Sequence, residues 1–138
     1  MTTILAWMFE SDVVLDLTAY VAAYTRRLTI LRNWTEFLAE RPLVLAPVSQ
    51  RRPFAPNDDV SSRERFDEIL ASHAPLVAVN YLGLPSTTVS TVLLDDGPIG
   101  VQLIGQPFAE NVCLDAAGAI EARVGVMAEQ LWARGIRA

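Results

Sequence analysis

The side chains able to do chemistry in this chain are few, and each stands in a setting that explains it without catalysis. There is one histidine, His73, and one cysteine, Cys113. His73 closes a segment of helical spacing, where an imidazole can bond the terminal carbonyls and complement the helix dipole. No serine or cysteine nucleophile accompanies it in a known motif. A dyad with a spatial neighbour, in a small hydrolase of some other kind, is the one catalytic role left to it. Cys113 lies between Val112 and Leu114 on the apolar side of another helical segment. A thiol in such surroundings keeps its proton and serves as packing. Ser86, Thr87, Thr88, Ser90 and Thr91 make a hydroxyl-rich run. None occupies a Gly-x-Ser-x-Gly elbow, and strand propensity accounts for them.

The charged groups add no site. Asp58-Asp59 and Asp95-Asp96 fall in loop compositions, where aspartate bonds nearby backbone amides. Arg26-Arg27 and Arg51-Arg52 are the basic pairs, expected to be solvated or ion-paired. The most informative absence is lysine, since all 11 basic side chains are arginine. Arginine stays protonated, so no side chain here can replace a lysine that must give and take a proton. One cysteine and one histidine exclude an internal disulfide and a zinc site of three or four such ligands, and no calcium-loop spacing occurs. No metal and no cofactor is expected. The net charge of -5 has the wrong sign for neutralising phosphates, so no nucleic-acid partner is expected either.

The elements that must position these groups follow from periodicity. Over Val13 to Glu40 the apolar positions Leu17, Tyr20, Val21, Tyr24, Leu28, Leu31, Trp34 and Leu38 recur at three- and four-residue steps, predicting a long amphipathic helix that Pro42 ends. Leu43 to Ala46 reads as a short buried strand. Ser49 to Ser61 has a loop composition, with Phe54 as its anchor into the core. Ser61 or Ser62 caps a helix that runs to His73 and is stopped by Pro75. Thr87 to Leu94, the turn Asp95-Asp96-Gly97-Pro98 and Ile99 to Ile104 form a hairpin. Gly100 and Gly105 mark a bulge or a close approach of another backbone. Asn111 to Val124 is a helix capped by Gly125, and Met127 to Ala133 a last short one.

At 138 residues one core is the default, and 51% hydrophobic residues leave a surplus that an absent partner surface would cover. Leu17 to Thr25, between Asp16 and Arg26, is well short of a membrane span. Met1 to Phe9 lacks a basic leader, and Glu10 and Asp12 follow at once. A cytoplasmic location without membrane insertion is the expectation. Trp7, Trp34 and Trp132 are dispersed and form no stacking platform.

One ordered set of motifs stands out. Asn80-Tyr81-Leu82-Gly83-Leu84-Pro85 is followed by a β-rich strand, then by Pro98-Ile99-Gly100-Val101-Gln102-Leu103-Ile104-Gly105 and, after Phe108, Glu110. Upstream stand Arg41-Pro42-Leu43-Val44-Leu45-Ala46-Pro47-Val48 and Pro53-Phe54, and downstream Leu114-Asp115-Ala116-Ala117 through Ile120-Glu121. Together they resemble the C-terminal region of amidase signature enzymes, most clearly over residues 34–125.

The resemblance implies an α/β fold, the C-terminal part of a mixed β-sheet flanked by helices, with residues 1–138 forming one partial domain. It also implies hydrolysis of carboxylic amides by a serine, a cis-peptide serine and a lysine, all from an N-terminal region with no counterpart here. No catalytic residue is therefore carried over. Asn80, Gly83, Pro85, Gly100 and Gln102 are markers of fold. Where the family shows a proline and, two residues later, a glycine at the end of the strand, this chain has Ser90 and Val92. The expectation is a truncated portion, inactive alone, whose partner is the missing amidase region. The alternative is a non-catalytic module that associates with itself.

Overall fold

The computed structural model describes residues 4, 6, 7, 14–95 and 97–135. The start of the first helix at Val13, Asp96 of the hairpin turn and most of the Met1 to Phe9 reading fall outside the described residues. The described elements run α1 (Leu17–Glu40), β1 (Leu43–Pro47), a 3-10 turn (Asp58–Val60), α2 (Arg63–Ser72), α3 (Ala74–Leu82), β2 (Ser86–Leu94), β3 (Gly97–Gly105), α4 (Glu110–Val124) and α5 (Met127–Ala133). The fold is α/β, as the motifs imply, and β1 and β2 each pair antiparallel with the central β3, in the order β1-β3-β2.

The first helix begins later than its periodicity suggests. Val14 and Leu15 are not helical, because the Asp16 carboxylate accepts a bond from the Ala19 amide at 2.7 Å and caps the helix there. At the other end the Arg41 amide still bonds the Phe37 carbonyl before Pro42 turns the chain out.

β3 is the central strand, and its two faces are covered by different helices. Ile104 points into a cluster with Leu38 of α1, Val79 and Leu82 of α3, and Leu84, bordered by Leu31, Trp34, Val44 and Ala46. Leu103 points the other way, packing with Val89 of β2 and Ala117 of α4 beside Val101, Ala116 and Ile120. Alternation along the strand thus feeds two cores.

Three expectations need correction. β1 is an edge strand rather than a buried one: Val44 and Ala46 face the first cluster, whereas Leu45 is 61% exposed. The reason is that α4 packs chiefly over β2 and β3, and β1 pairs with β3 alone. Pro75 does not simply stop a helix. It sits in the first turn of α3, where its missing N–H has no partner to lose, so His73 both ends α2 and begins α3. Phe54 does not anchor in the core. It is 41% exposed and packs edge-on against His73, with ring centroids 6.2 Å apart and planes 85° to each other.

The hairpin has the expected irregularity. Its register shifts between Ser90, opposite Gly100, and Val92, opposite Ile99, which leaves Thr91 as the extra residue of a bulge. A Cβ on Gly100 would lie 2.6 Å from the Val89 carbonyl oxygen, so only glycine lets the strands meet there.

Candidate functional site

A concave surface that gathers polar side chains, His73 among them, lies where the ends of β1, α2 and the hairpin meet. It is a cleft of ≈ 400 Å³ between the Pro47–Phe54 segment, His73, the middle of β2 and the start of β3. Apolar atoms from Pro47, Pro53, Phe54 and Ile99 line it together with the hydroxyls of Ser49 and Ser90.

The segment after β1 has no regular structure of its own, so side chains and single backbone bonds hold it. The Gln50 amide donates to the Ser72 carbonyl at 2.8 Å, and the Ser49 hydroxyl lies 3.3 Å from Ser72 Oγ. The Arg51 amide donates back to Ser49 Oγ at 3.2 Å. A relay of ion pairs continues outward, from Arg51 to Glu68 at 3.3 Å, from Glu68 to Arg65 at 2.9 Å and from Arg65 to Asp58 at 2.6 Å. Hydrogen bonding from Arg65 holds the Asp58 carboxyl below the usual carboxylate range. The segment is thus buckled onto α2 at both ends.

The hydroxyls beside His73 form no nucleophile and base. Ser72 Oγ donates to the Ile69 carbonyl at 2.7 Å, and His73 Nδ1 lies 2.8 Å from the same oxygen. A carbonyl only accepts, so Nδ1 carries the hydrogen. Ser72 Oγ is 3.2 Å from that nitrogen, on the side that cannot take its proton. The expected contact of the imidazole with a terminal helix carbonyl is therefore realised, and a Ser72-His73 dyad is not.

Cys113 is fully buried on α4, with its thiol 3.8 Å from the Pro85 carbonyl. Burial pushes its pKa up, and the nearby Glu110 charge adds to this, so it is inert packing as its neighbours suggested. Among the described residues no group of histidine, cysteine or carboxylate side chains could hold a metal ion. No described helix is long and apolar enough to cross a membrane.

The five motif residues take distinct places. Asn80 is an exposed residue near the end of α3. Gly83 ends that helix with φ 74°, the left-handed conformation that favours glycine. The Pro85 carbonyl accepts the Gly105 amide at 3.0 Å. Gly100 borders the cleft opposite the bulge. Gln102 is 0% exposed, and its Nε2 donates to Ser86 Oγ at 3.1 Å. Of these, only Gly100 lines the cleft.

Two features carried no sequence signal. Arg27, one of a pair expected to be solvated or ion-paired, instead donates from Nε to the Tyr81 carbonyl at 2.6 Å and from Nη2 to the Leu82 carbonyl at 3.0 Å. It caps α3 from α1. The pairing of Phe54 with His73 likewise joins residues far apart in the chain, and only the folded path of the Pro47–Phe54 segment brings them together.

The ordered motif set lies along this sheet and the helices beside it. The chain belongs to the amidase signature family, whose Amidase profile matches residues 3–114. It is 44% identical to an indoleacetamide hydrolase of Bradyrhizobium japonicum over 120 residues, which are 86% of this chain and 26% of that protein. It is 42% identical to an indoleacetamide hydrolase of Bradyrhizobium diazoefficiens over the same length, 23% of that protein. The A-subunit of a glutamyl-tRNA(Gln) amidotransferase from Jannaschia sp. is 34% identical over 122 residues, 84% of this chain and 24% of that protein. The chain therefore spans about a quarter of the length of the curated relatives it matches.

Proposed function

We propose that this chain is the C-terminal portion of an amidase, one partial domain that supplies a wall of the substrate cleft and none of the catalytic groups. The observation that carries this is the complete lack of lysine in a chain of a family whose resemblance implies a lysine for proton transfer. The geometry agrees: the hydrogen on His73 Nδ1 and the burial of Cys113 leave the cleft without an activated nucleophile among the described residues. Its partner is the remainder of an amidase, its setting the cytoplasm.

The substrate class we propose is an arylacetamide. The two Bradyrhizobium relatives named for indoleacetamide share 44% and 42% identity with the chain, against 34% for the Jannaschia relative. A cleft walled by Phe54, three prolines and Ile99, with Arg51 and Arg52 beside them, suits a flat aromatic acyl group. The purified chain should hydrolyse neither indole-3-acetamide nor simple amides. Turnover that a substitution within the chain abolishes would overturn the proposal.

A second reading rests on the exposed apolar face of α1, where Leu17, Tyr20, Val21, Tyr24 and Leu28 are open to solvent, and on the unpaired edge of β1 with Leu45. In that reading the chain is a non-catalytic module that associates with itself. Sedimentation decides it: a stable monomer that binds no hydrophobic dye argues against self-association.

A further inference from the structure

We infer that Nε2 of His73 is the specificity-determining acceptor of the cleft, selecting aromatic acyl groups that carry a ring N–H. The inference rests on the arylacetamide reading above and deepens it. Three observations support it. His73 lines the cleft and is only partly buried. Its Nδ1 is committed to the Ile69 carbonyl at 2.8 Å, which fixes the tautomer and leaves the lone pair on the opposite ring nitrogen. Among the described residues Nε2 has no hydrogen-bond partner, whereas Nδ1 has two polar neighbours.

Phe54 and apolar residues of the wall stand beside that ring. Phe54 stands edge-on to the imidazole at 85°, so the two rings form a corner rather than a stack. An aromatic ring lying in the corner can pack against one and bond the other. Pro47, Pro53, Pro98 and Ile99 offer apolar surface, and Arg51 and Arg52 line the same cleft. A bicyclic ring with one N–H can satisfy both demands. A site that presents a hydrogen-bond partner discriminates against an isostere lacking the matching group more sharply than a purely apolar pocket discriminates by shape.

The test uses the whole chain, whose one histidine makes the imidazole nitrogens directly assignable by 15N NMR. Spectra are recorded at about pH 8, where imidazoles in general are neutral. The free chain should show a protonated Nδ1 and an unprotonated Nε2. Indole-3-acetamide should then move the Nε2 resonance toward the protonated side. 1-Benzothiophene-3-acetamide, of the same shape with sulfur in place of N–H, should leave it in place and bind roughly 3- to 10-fold more weakly. Equal affinities with no movement of Nε2 would overturn the role of His73 and leave the arylacetamide reading standing. Failure of both ligands to bind would overturn both. A free chain with the proton on Nε2 would overturn the inference before any ligand is added.

Discussion

A double substitution at the contact between β3 and α4 tests how the sheet is closed against its helix. Gly105 is the last residue of β3, and a Cβ built on it would lie 2.6 Å from Cys113 Sγ, 3.5 Å from the Ala109 carbonyl oxygen and 3.9 Å from Leu43 Cδ2. The last two are ordinary contacts, so the sulfur alone demands glycine. Gly105 has no positive φ, hence its backbone accepts alanine without strain. Gly105→Ala should therefore act through overpacking and cost about 1–3 kcal/mol. Cys113→Ala removes one buried heavy atom and should cost about 1 kcal/mol. In the double variant the new methyl enters the space the sulfur leaves. The total should fall to about 1 kcal/mol or less, a favourable coupling of roughly 1–3 kcal/mol. Urea and thermal unfolding followed by circular dichroism would measure it, at about 3–5 °C of midpoint per kcal/mol for a chain of this size. Losses that add within about 0.5 kcal/mol would refute the close contact.

Other outcomes follow from the same contacts. Arg27→Met, which removes both bonds to the end of α3, should lower stability by about 1–2 kcal/mol by urea midpoint, and Arg27→Lys should recover less than half because an ammonium lacks the guanidinium fork. Because Arg65 lowers the Asp58 pKa, the pair stabilises the fold above the ordinary carboxylate pKa of about 4 and loses that contribution as pH falls through the lowered value. Asp58→Asn should thus flatten the acid-side decline of the urea midpoint, and added salt should shrink the difference. Burial raises the Cys113 pKa, so its thiol stabilises the fold below the unfolded thiol value and that contribution is lost as pH rises above about 8.5. Its reaction with an aromatic disulfide reagent should be slow in the native chain and become fast on unfolding in urea.

Local chemistry made much of the architecture legible in the sequence. The three- and four-residue apolar steps of α1, the β-branched run of the hairpin and the cap of α4 at Gly125 are each written in neighbouring residues, and each is present; Gly97 and Pro98, expected in the turn, instead begin β3, paired with Leu94 and Leu93. The same holds for Cys113, whose flanking apolar residues announced its burial. Motif order pointed to the family, and the absence of lysine bore on the chemistry, without any coordinates.

Tertiary structure decided what depends on which surfaces meet. Leu43 to Ala46 is as apolar as a buried strand, yet the sheet order puts it at an edge, with α4 packed chiefly over β2 and β3. Pro75 reads equally well as the end of one helix or the start of the next, and packing of Val79 and Leu82 against Leu38 selects the start. The cleft itself has no linear signal. Phe54, His73 and Ile99 come from three separate segments, and the bonds of Ser49 and Gln50 to Ser72 draw the first of these onto α2. Helix and strand periods are set within a few residues of chain, whereas exposure of an edge and the meeting of distant side chains arise only when the whole backbone has found its packing.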